Sequence, residues 1–136
     1  MGVLIEGSYL GNKRTKLIHG PSGAEIVTDA PRDNAGLGES FSPTDMLAGA
    51  LGACMMTILG ILADRAGMDL SGMTMRVEKE MRSEPRRIGK LSLVLHLPAG
   101  LDAAQRQKLE AAARACPVHH SLHPEIAVDV EFRYDV

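Results

Sequence analysis

Residues 43–66, PTDMLAGALGACMMTILGILADRA, decide the fold, because no charged side chain occurs between Met46 and Ala63. On a helix, at about 100° per residue, one stripe of this stretch holds Leu47, Leu51, Cys54, Ile58 and Ile61. The opposite side, which carries alanine, methionine and leucine, is equally apolar. A helix that is apolar all round is typical of a segment buried on every side, in a protein core or in a membrane. The stretch therefore predicts a central buried helix that carries a thiol.

A membrane span has to be considered, because about 18 uncharged residues approach the lower limit for crossing a bilayer. The segment is rich in glycine and alanine, and Asp45, Asp64 and Arg65 bound it closely. Neither end carries the tryptophan or tyrosine that usually anchors a span at the membrane surface. These features favour a core helix. The N-terminal residues MGVLIEGSYL lack the basic and long apolar regions of a signal peptide, so we expect a cytoplasmic protein.

The bulk composition is typical of a soluble, folded chain. A length of 136 residues suits one domain spanning 1–136. Hydrophobic residues at 45% and charged residues at 24% are ordinary for a globular protein. The net charge of −2 gives no attraction to nucleic acid or to an anionic membrane. With no Trp, two Tyr and two Phe, the chain also lacks the aromatic residues that stack on bases.

Around the central helix, turn signals and alternating apolar residues predict an α+β fold. Ser42 or Thr44 can cap the start of the helix, and Asp45 complements its dipole. Gly67 ends the helix. Strands are predicted at 3–10, 14–19, 24–28, 72–82, 90–97 and 125–134, a polar loop at 29–42, and further helices at 103–115 and 117–122. This order of strands and helices is that of one α+β unit.

The second cysteine, Cys116, opens the run CPVHHSL. With Pro117 at a first helical position, Cys116 becomes the N-cap, and the N–H groups near its sulfur favour thiolate over thiol. The alternative is a partly buried cysteine without special reactivity. His119 and His120 either raise the thiolate content further or lie at the surface. Cys54, taken alone, is typical of a core cysteine.

Metal binding and hydrolase chemistry are poorly supported by the same residues. Zinc would use Cys54, Cys116 and His119, yet structural zinc sites normally supply two close-spaced ligand pairs, and only one is present. A Cys–His hydrolase lacks a third group placed to orient the histidine. The glycines of the central stretch do not match the spacing of a dinucleotide-binding loop. We therefore expect neither a metal nor a cofactor.

The two cysteine motifs together resemble those of a known family. With SPTDMLAGALGAC at 42–54 and CPVHHSL at 116–122, the chain resembles the OsmC/Ohr family, and more its OsmC-like branch, over nearly its whole length. The resemblance implies an OsmC-like α+β fold, with antiparallel sheets around the central cysteine-bearing helix. It also implies an intertwined homodimer with two active sites at the subunit interface.

The resemblance further implies a thiol peroxidase that reduces organic hydroperoxides. Cys54 would be the peroxidatic residue, whose thiolate becomes a sulfenic acid. Cys116 would resolve that acid to a disulfide, and an external dithiol, of the lipoyl type, would reduce the disulfide. Two other functions stay open. One is a non-peroxidatic domain whose dimer groove binds a hydrophobic small molecule, to which methionines such as Met55, Met56 and Met68 are suited. The other is a slow redox sensor.

Family peroxidases also use an arginine from the N-terminal region and a glutamate shortly before the cysteine. The glutamate position aligns with Thr44 here, and the nearest carboxylate is Asp45. On a straight helix Asp45 lies about 14 Å from Cys54, so it would assist only across a dimer interface or if the helix is broken; otherwise it caps the helix. The arginine candidate is Arg32, with Arg14 behind it. A buried thiol without such a cation has a raised pKa and reacts poorly.

Overall fold

The computed structural model describes residues 2–136. The chain forms two compact units, one that ends at Leu47 and one that runs from Ala48 to Val136. The strands are β1 Ile5–Gly11, β2 Arg14–His19, β3 Glu25–Asp29, β4 Thr74–Arg82, β5 Arg87–His96 and β6 Ala127–Arg133. The helices are α1 Pro43–Ala66, α2 Ala103–Arg114 and α3 Pro117–Ser121, with a 3₁₀ turn at Arg32–Asn34. Two three-stranded sheets and these helices confirm the predicted α+β class.

The first unit is built on an antiparallel sheet with strand order β1-β2-β3. Asn12 and Lys13 turn the chain between β1 and β2, and both have positive φ angles, 55° and 60°. Such a left-handed pair matches the twist of the strands that a tight hairpin joins. The predicted hairpin at GNKR is therefore confirmed, and the strands agree with the predicted ones to within a few residues.

The second unit contains a sheet with strand order β4-β5-β6, in which one strand pair departs from the antiparallel arrangement that we expected. Strands β4 and β5 are antiparallel, but β5 and β6 are parallel, with Leu93 opposite Val130. The chain between β5 and β6 contains α2 and α3. Parallel neighbours require a long crossover of this kind, whereas antiparallel ones need only a hairpin. The sheet is therefore mixed.

The core of the second unit lies between α1, α2 and the inward face of the sheet. Strand β5 contributes Leu91, Leu93 and Leu95, of which none is more than 2% exposed. From α1 the buried residues are Ala48, Leu51, Gly52, Met55, Leu59 and Ala63. A Cβ at Gly52 would lie 2.5 Å from Cε of Met75, so the absence of a side chain there lets α1 and β4 approach closely.

The expectation that α1 is buried on every side is wrong for this chain by itself. Ile61 and Leu47, both on the stripe singled out from the sequence, are 44% and 38% exposed. Met55, which we placed on the opposite side, is completely buried. Because the helix is apolar all round, its periodicity carries no information about which face meets the sheet.

By length and composition, α1 is the one helix among residues 2–136 that could cross a membrane. Helices in the cores of globular proteins meet the same criterion. Leu51, Met55 and Leu59 belong to the same buried cluster as the leucines of β5, as expected of a core helix.

Helix α2 is capped at its start, and Cys116 follows its C-terminal end and lies in the core. Asp102 accepts a hydrogen bond from the backbone N–H of Gln105, and the Gln105 side chain accepts one from the N–H of Asp102, which completes a capping box. Directly after β6, the Tyr134 hydroxyl donates to Glu110 at 2.6 Å, and the guanidinium of Arg106 lies 4.1 Å from the centre of the Tyr134 ring. These contacts fix α2 beside β6.

Candidate thiol site

The first thiol, Cys54, lies in the middle of α1 at the edge of its buried face. Its neighbour Met55 is fully buried, whereas Ala53 and Thr57 are exposed. Cys54 itself is half-buried and packs against the core cluster. The sulfur is reduced. A half-buried thiol on a rigid helix is held in a fixed place and is still open to a small reactant.

The second thiol, Cys116, is the N-cap of α3, as the sequence predicts. Its sulfur accepts a hydrogen bond from the backbone N–H of His119 at 3.3 Å, and Pro117 occupies the first helical position. The N–H of Val118 also acts on this sulfur. Cys116 is completely buried. Sequence reasoning found the cap from its Cys–Pro pair, because proline at the first helical position marks where a helix begins.

The N–H groups of His119 and Val118 lower the pKa of the Cys116 thiol, as the cap predicts. Burial is the largest effect on this thiol, however, and the net shift of its pKa is upward. A hydrogen bond with Cys54, and a negative charge on that residue, raise it further. Cys116 is therefore a neutral thiol beside Cys54, and the pair can hold one negative charge more easily than two.

The two histidines that follow Cys116 differ in exposure. His120 is exposed, as we expected of at least one of them, and its ring stacks on that of His119 with 6.5 Å between the ring centres. His119 is half-buried, and its Nδ1 is buried without a hydrogen-bond partner. No group of three or more histidine, cysteine, aspartate or glutamate residues that could hold a metal ion occurs within residues 2–136.

Arg32, the predicted assisting arginine, belongs to the first unit and is exposed. It begins the 3₁₀ turn, and its Nε donates to the carbonyl of Leu37 at 3.1 Å, so it closes its own loop. In the same unit, Arg14 lies 3.4 Å from a carboxylate oxygen of each of Asp29 and Glu39. Arg14 therefore ties β2 to β3 and to the loop that follows.

Asp45, the predicted assisting carboxylate, caps α1. Its carboxylate accepts a hydrogen bond from the N–H of Ser42 at 2.9 Å, and its own N–H donates to the Ser42 hydroxyl at 3.1 Å. This reciprocal pair settles the open choice of cap in favour of Ser42. Helix α1 runs unbroken from Pro43 to Ala66, which removes the broken-helix route by which Asp45 was expected to assist Cys54.

An apolar cavity of about 300 Å³ lies in the first unit, on one face of its sheet. The residues that line it are Ile5, Leu17, His19, Ala24, Ile26 and Met46. Sequence reasoning did not single it out, because its lining comes from three short strands and the start of α1. The methionines expected to form an adaptable pocket lie elsewhere: Met55 is buried in the core of the second unit, and Met56 and Met68 pack against that core.

Comparison with known proteins identifies the class and then the family. A chain with two reduced cysteines in one buried cluster of an α+β unit belongs among the thiol-bearing α+β proteins. Residues 36–131 match the family of OsmC-like proteins, which is more than half of the chain. The chain belongs to the OsmC-like protein family, as the resemblance of its motifs predicts. A search of the curated proteins found no significant match.

Solved structures of several bacterial proteins share the fold. A Psychrobacter arcticus protein, provisionally described as an osmotic stress induced and detoxification response protein, is 40% identical over 98% of each chain, with a TM-score of 0.92. An organic hydroperoxide resistance protein OsmC from Legionella pneumophila is 19% identical over 98% of this chain and 97% of its own, with a TM-score of 0.74. One from Elizabethkingia anophelis is 15% identical, covering 99% and 97%, with a TM-score of 0.78. The last two establish the fold alone.

Replacement of Cys54 by alanine is expected to lower the pKa of Cys116. The substitution removes the hydrogen bond and the charge of Cys54, but burial, the largest cause of the raised pKa, remains. The value should therefore fall and still stay above that of an ordinary thiol. Ultraviolet absorbance of the thiolate, followed against pH in Cys54→Ala, measures it directly, with Thr57→Ala on the exposed side of α1 as the control. An unchanged or higher pKa would show that the two sulfurs do not interact.

Proposed function

We propose that this protein is a thiol-dependent peroxidase that reduces organic hydroperoxides through Cys54 and Cys116. The observation that carries the proposal is the pairing of two reduced thiols, 62 residues apart in the sequence, that interact within one unit. Two thiols are what a cycle from thiolate through sulfenic acid to disulfide requires. Members of the same fold are named organic hydroperoxide resistance proteins, which supports the substrate class.

The difference in exposure supports Cys54 as the residue of the first step. It is the half-buried thiol of the pair, whereas Cys116 is completely buried, so a hydroperoxide reaches Cys54 first. The Cys54 thiolate attacks one peroxide oxygen, and the O–O bond breaks. The sulfur loses two electrons and becomes a sulfenic acid, while the other oxygen leaves as an alkoxide that takes up a proton to form the alcohol.

Cys116 performs the second step. Its sulfur attacks the Cys54 sulfur of the sulfenic acid, the S–O bond breaks, and the oxygen leaves as water once the Cys116 proton is included. The amides of His119 and Val118 stabilise the negative charge that Cys116 acquires as it reacts. An external dithiol of the lipoyl type then attacks the disulfide, returns both thiols and is itself oxidised to a disulfide.

A homodimer in the cytoplasm is part of the proposal. The first unit leaves large apolar side chains in water, including Val3, Ile5 and Ile26, which are 63%, 59% and 50% exposed. A monomeric protein seldom exposes so much apolar surface, and a second copy of the chain would cover it. In such a dimer Asp45 would assist Cys54 of the partner subunit, in addition to its role as a cap.

Binding of a hydrophobic small molecule is the second candidate, and the cavity of the first unit favours it. Its volume of about 300 Å³ is at the lower limit for small-molecule sites, and its lining is almost entirely apolar. This function needs no reactive thiol. A redox sensor, the third candidate, would form the disulfide and turn over slowly.

Thiol counting during exposure to cumene hydroperoxide separates these functions. The reduced wild-type protein should lose two thiols per chain rapidly, because one peroxide molecule oxidises Cys54 and Cys116 together. Cys54→Ser should lose none, and Cys116→Ser should stop at the sulfenic acid. Fast turnover with dihydrolipoamide distinguishes a peroxidase from a sensor. Thiols that stay unreactive in the folded wild type would overturn the peroxidase and favour the binding function.

Arg32 is the proposed source of the positive charge that ionises Cys54, with Arg14 as the alternative. Arg32→Gln should slow oxidation of Cys54 by about tenfold, because only the thiolate attacks the peroxide and a nearby cation favours the thiolate. Arg86→Gln, in the exposed turn between β4 and β5, is the matched control and should react at the wild-type rate. If Arg14→Gln slows the reaction and Arg32→Gln does not, the role passes to Arg14. The measurement is the rate of sulfenic acid formation in stopped flow.

A further inference from the structure

His119 carries a buried polar atom that the two-cysteine cycle leaves unused. Its backbone N–H donates to the Cys116 sulfur at 3.3 Å, and the two residues are three positions apart, about one helical turn. Its imidazole Nδ1 is buried and has no hydrogen-bond partner among the described residues. A buried, unsatisfied polar atom is costly, and native proteins keep few of them without a reason. The chemistry of the neighbouring thiol offers such a reason.

Cys116 needs a base in order to react. It is completely buried and neutral in the reduced protein, and only a thiolate attacks sulfur readily. Water has little access to a sulfur that is 0% exposed, so solvent hydroxide is a poor proton acceptor there. The titratable side chain that interacts with Cys116 is Cys54 from α1, and the ring of His120 stacks on that of His119. Cys54 is the target of the attack and cannot also be the base.

We propose that His119, through Nδ1, is the general base that deprotonates Cys116 as it attacks Cys54; this rests on the proposed thiol cycle. A neutral imidazole with its proton on Nε2 presents an unshared electron pair at Nδ1. In the step, the proton moves from the Cys116 sulfur to Nδ1 and the S–S bond forms as the Cys54 S–O bond breaks. The departing hydroxide then takes the proton from Nδ1 and leaves as water, which returns the imidazole to its starting state.

In the reduced protein, Nδ1 is not hydrogen bonded to the Cys116 sulfur, which accepts from the backbone N–H of His119. Catalytic hydrogen bonds commonly tighten only when the reacting partner is present. A rotation of the His119 ring would bring Nδ1 to the Cys116 S–H while the sulfur keeps the amide hydrogen bonds that stabilise its charge.

The test compares His119→Asn with His120→Asn, its exposed neighbour. Asparagine keeps a polar atom near the position of Nδ1 but is not a base, so it separates hydrogen bonding from proton transfer. After mixing with cumene hydroperoxide, dimedone traps the Cys54 sulfenic acid and mass spectrometry follows the disulfide. His119→Asn should form the sulfenic acid at the wild-type rate and the disulfide about a hundredfold more slowly. His120→Asn should match the wild type in both steps.

A second arm does not depend on peroxidase activity. Cys54 is converted to its mixed disulfide with thionitrobenzoate, and release of the coloured thiol reports attack by Cys116. In His119→Asn the release should be slow at neutral pH and should rise about tenfold per pH unit, because it then depends on hydroxide. In the wild type the rise should be shallower.

Equal release rates and equal pH profiles in the wild type and His119→Asn would overturn the inference. A slow rate with an unchanged pH profile would do so as well, because it would mean that His119 only supports the structure. His119→Gln provides a second variant if His119→Asn fails to fold. If the protein ignores hydroperoxide but the mixed-disulfide arm behaves as expected, the proposed peroxidase fails while the role of His119 stands.

Discussion

Burial of one face of α1 against the leucine side of β5 is the packing interaction on which the rest of the second unit depends. Leu51, Met55 and Leu59 from the helix and Leu91 and Leu95 from the strand are all fully buried. At Gly52, two residues before Cys54, α1 packs closely against the Met75 side chain of β4. Because proteins pack at crystal-like density, a thiol at the edge of such a face has little freedom to move.

The two sulfurs differ in how deeply this packing buries them. Cys116 lies inside the core, where desolvation outweighs the helix amides and keeps it protonated. Cys54 lies at the edge, where a reactant can reach it. One charge on the pair is therefore favoured over two. The proposed thiol cycle uses this difference: the accessible sulfur would be oxidised first, and the buried sulfur would react once a base removes its proton.

The sequence predicted much of this arrangement, because its strongest signals are local. Proline positions, Asp102 and the alternation of β4 and β6 placed most element boundaries within three residues. The exposure of one side of α1 was not predicted, since an all-apolar helix gives no periodic clue to which side is buried. The parallel β5–β6 pair was missed because pairing is a long-range choice. The net rise in the pKa of Cys116 was not predicted for a third reason: the cap is local, but burial is a property of the whole core.

A search for a disulfide between Cys54 and Cys116 after oxidation tests the central claim most directly. After one equivalent of cumene hydroperoxide, the protein is digested with trypsin without reduction and the peptides are weighed by mass spectrometry. The account predicts that peptide 33–65, which holds Cys54, is disulfide-linked to peptide 115–133, which holds Cys116. Recovery of peptide 115–133 with a free thiol, beside peptide 33–65 with Cys54 unmodified or oxidised to a sulfinic acid, would contradict it.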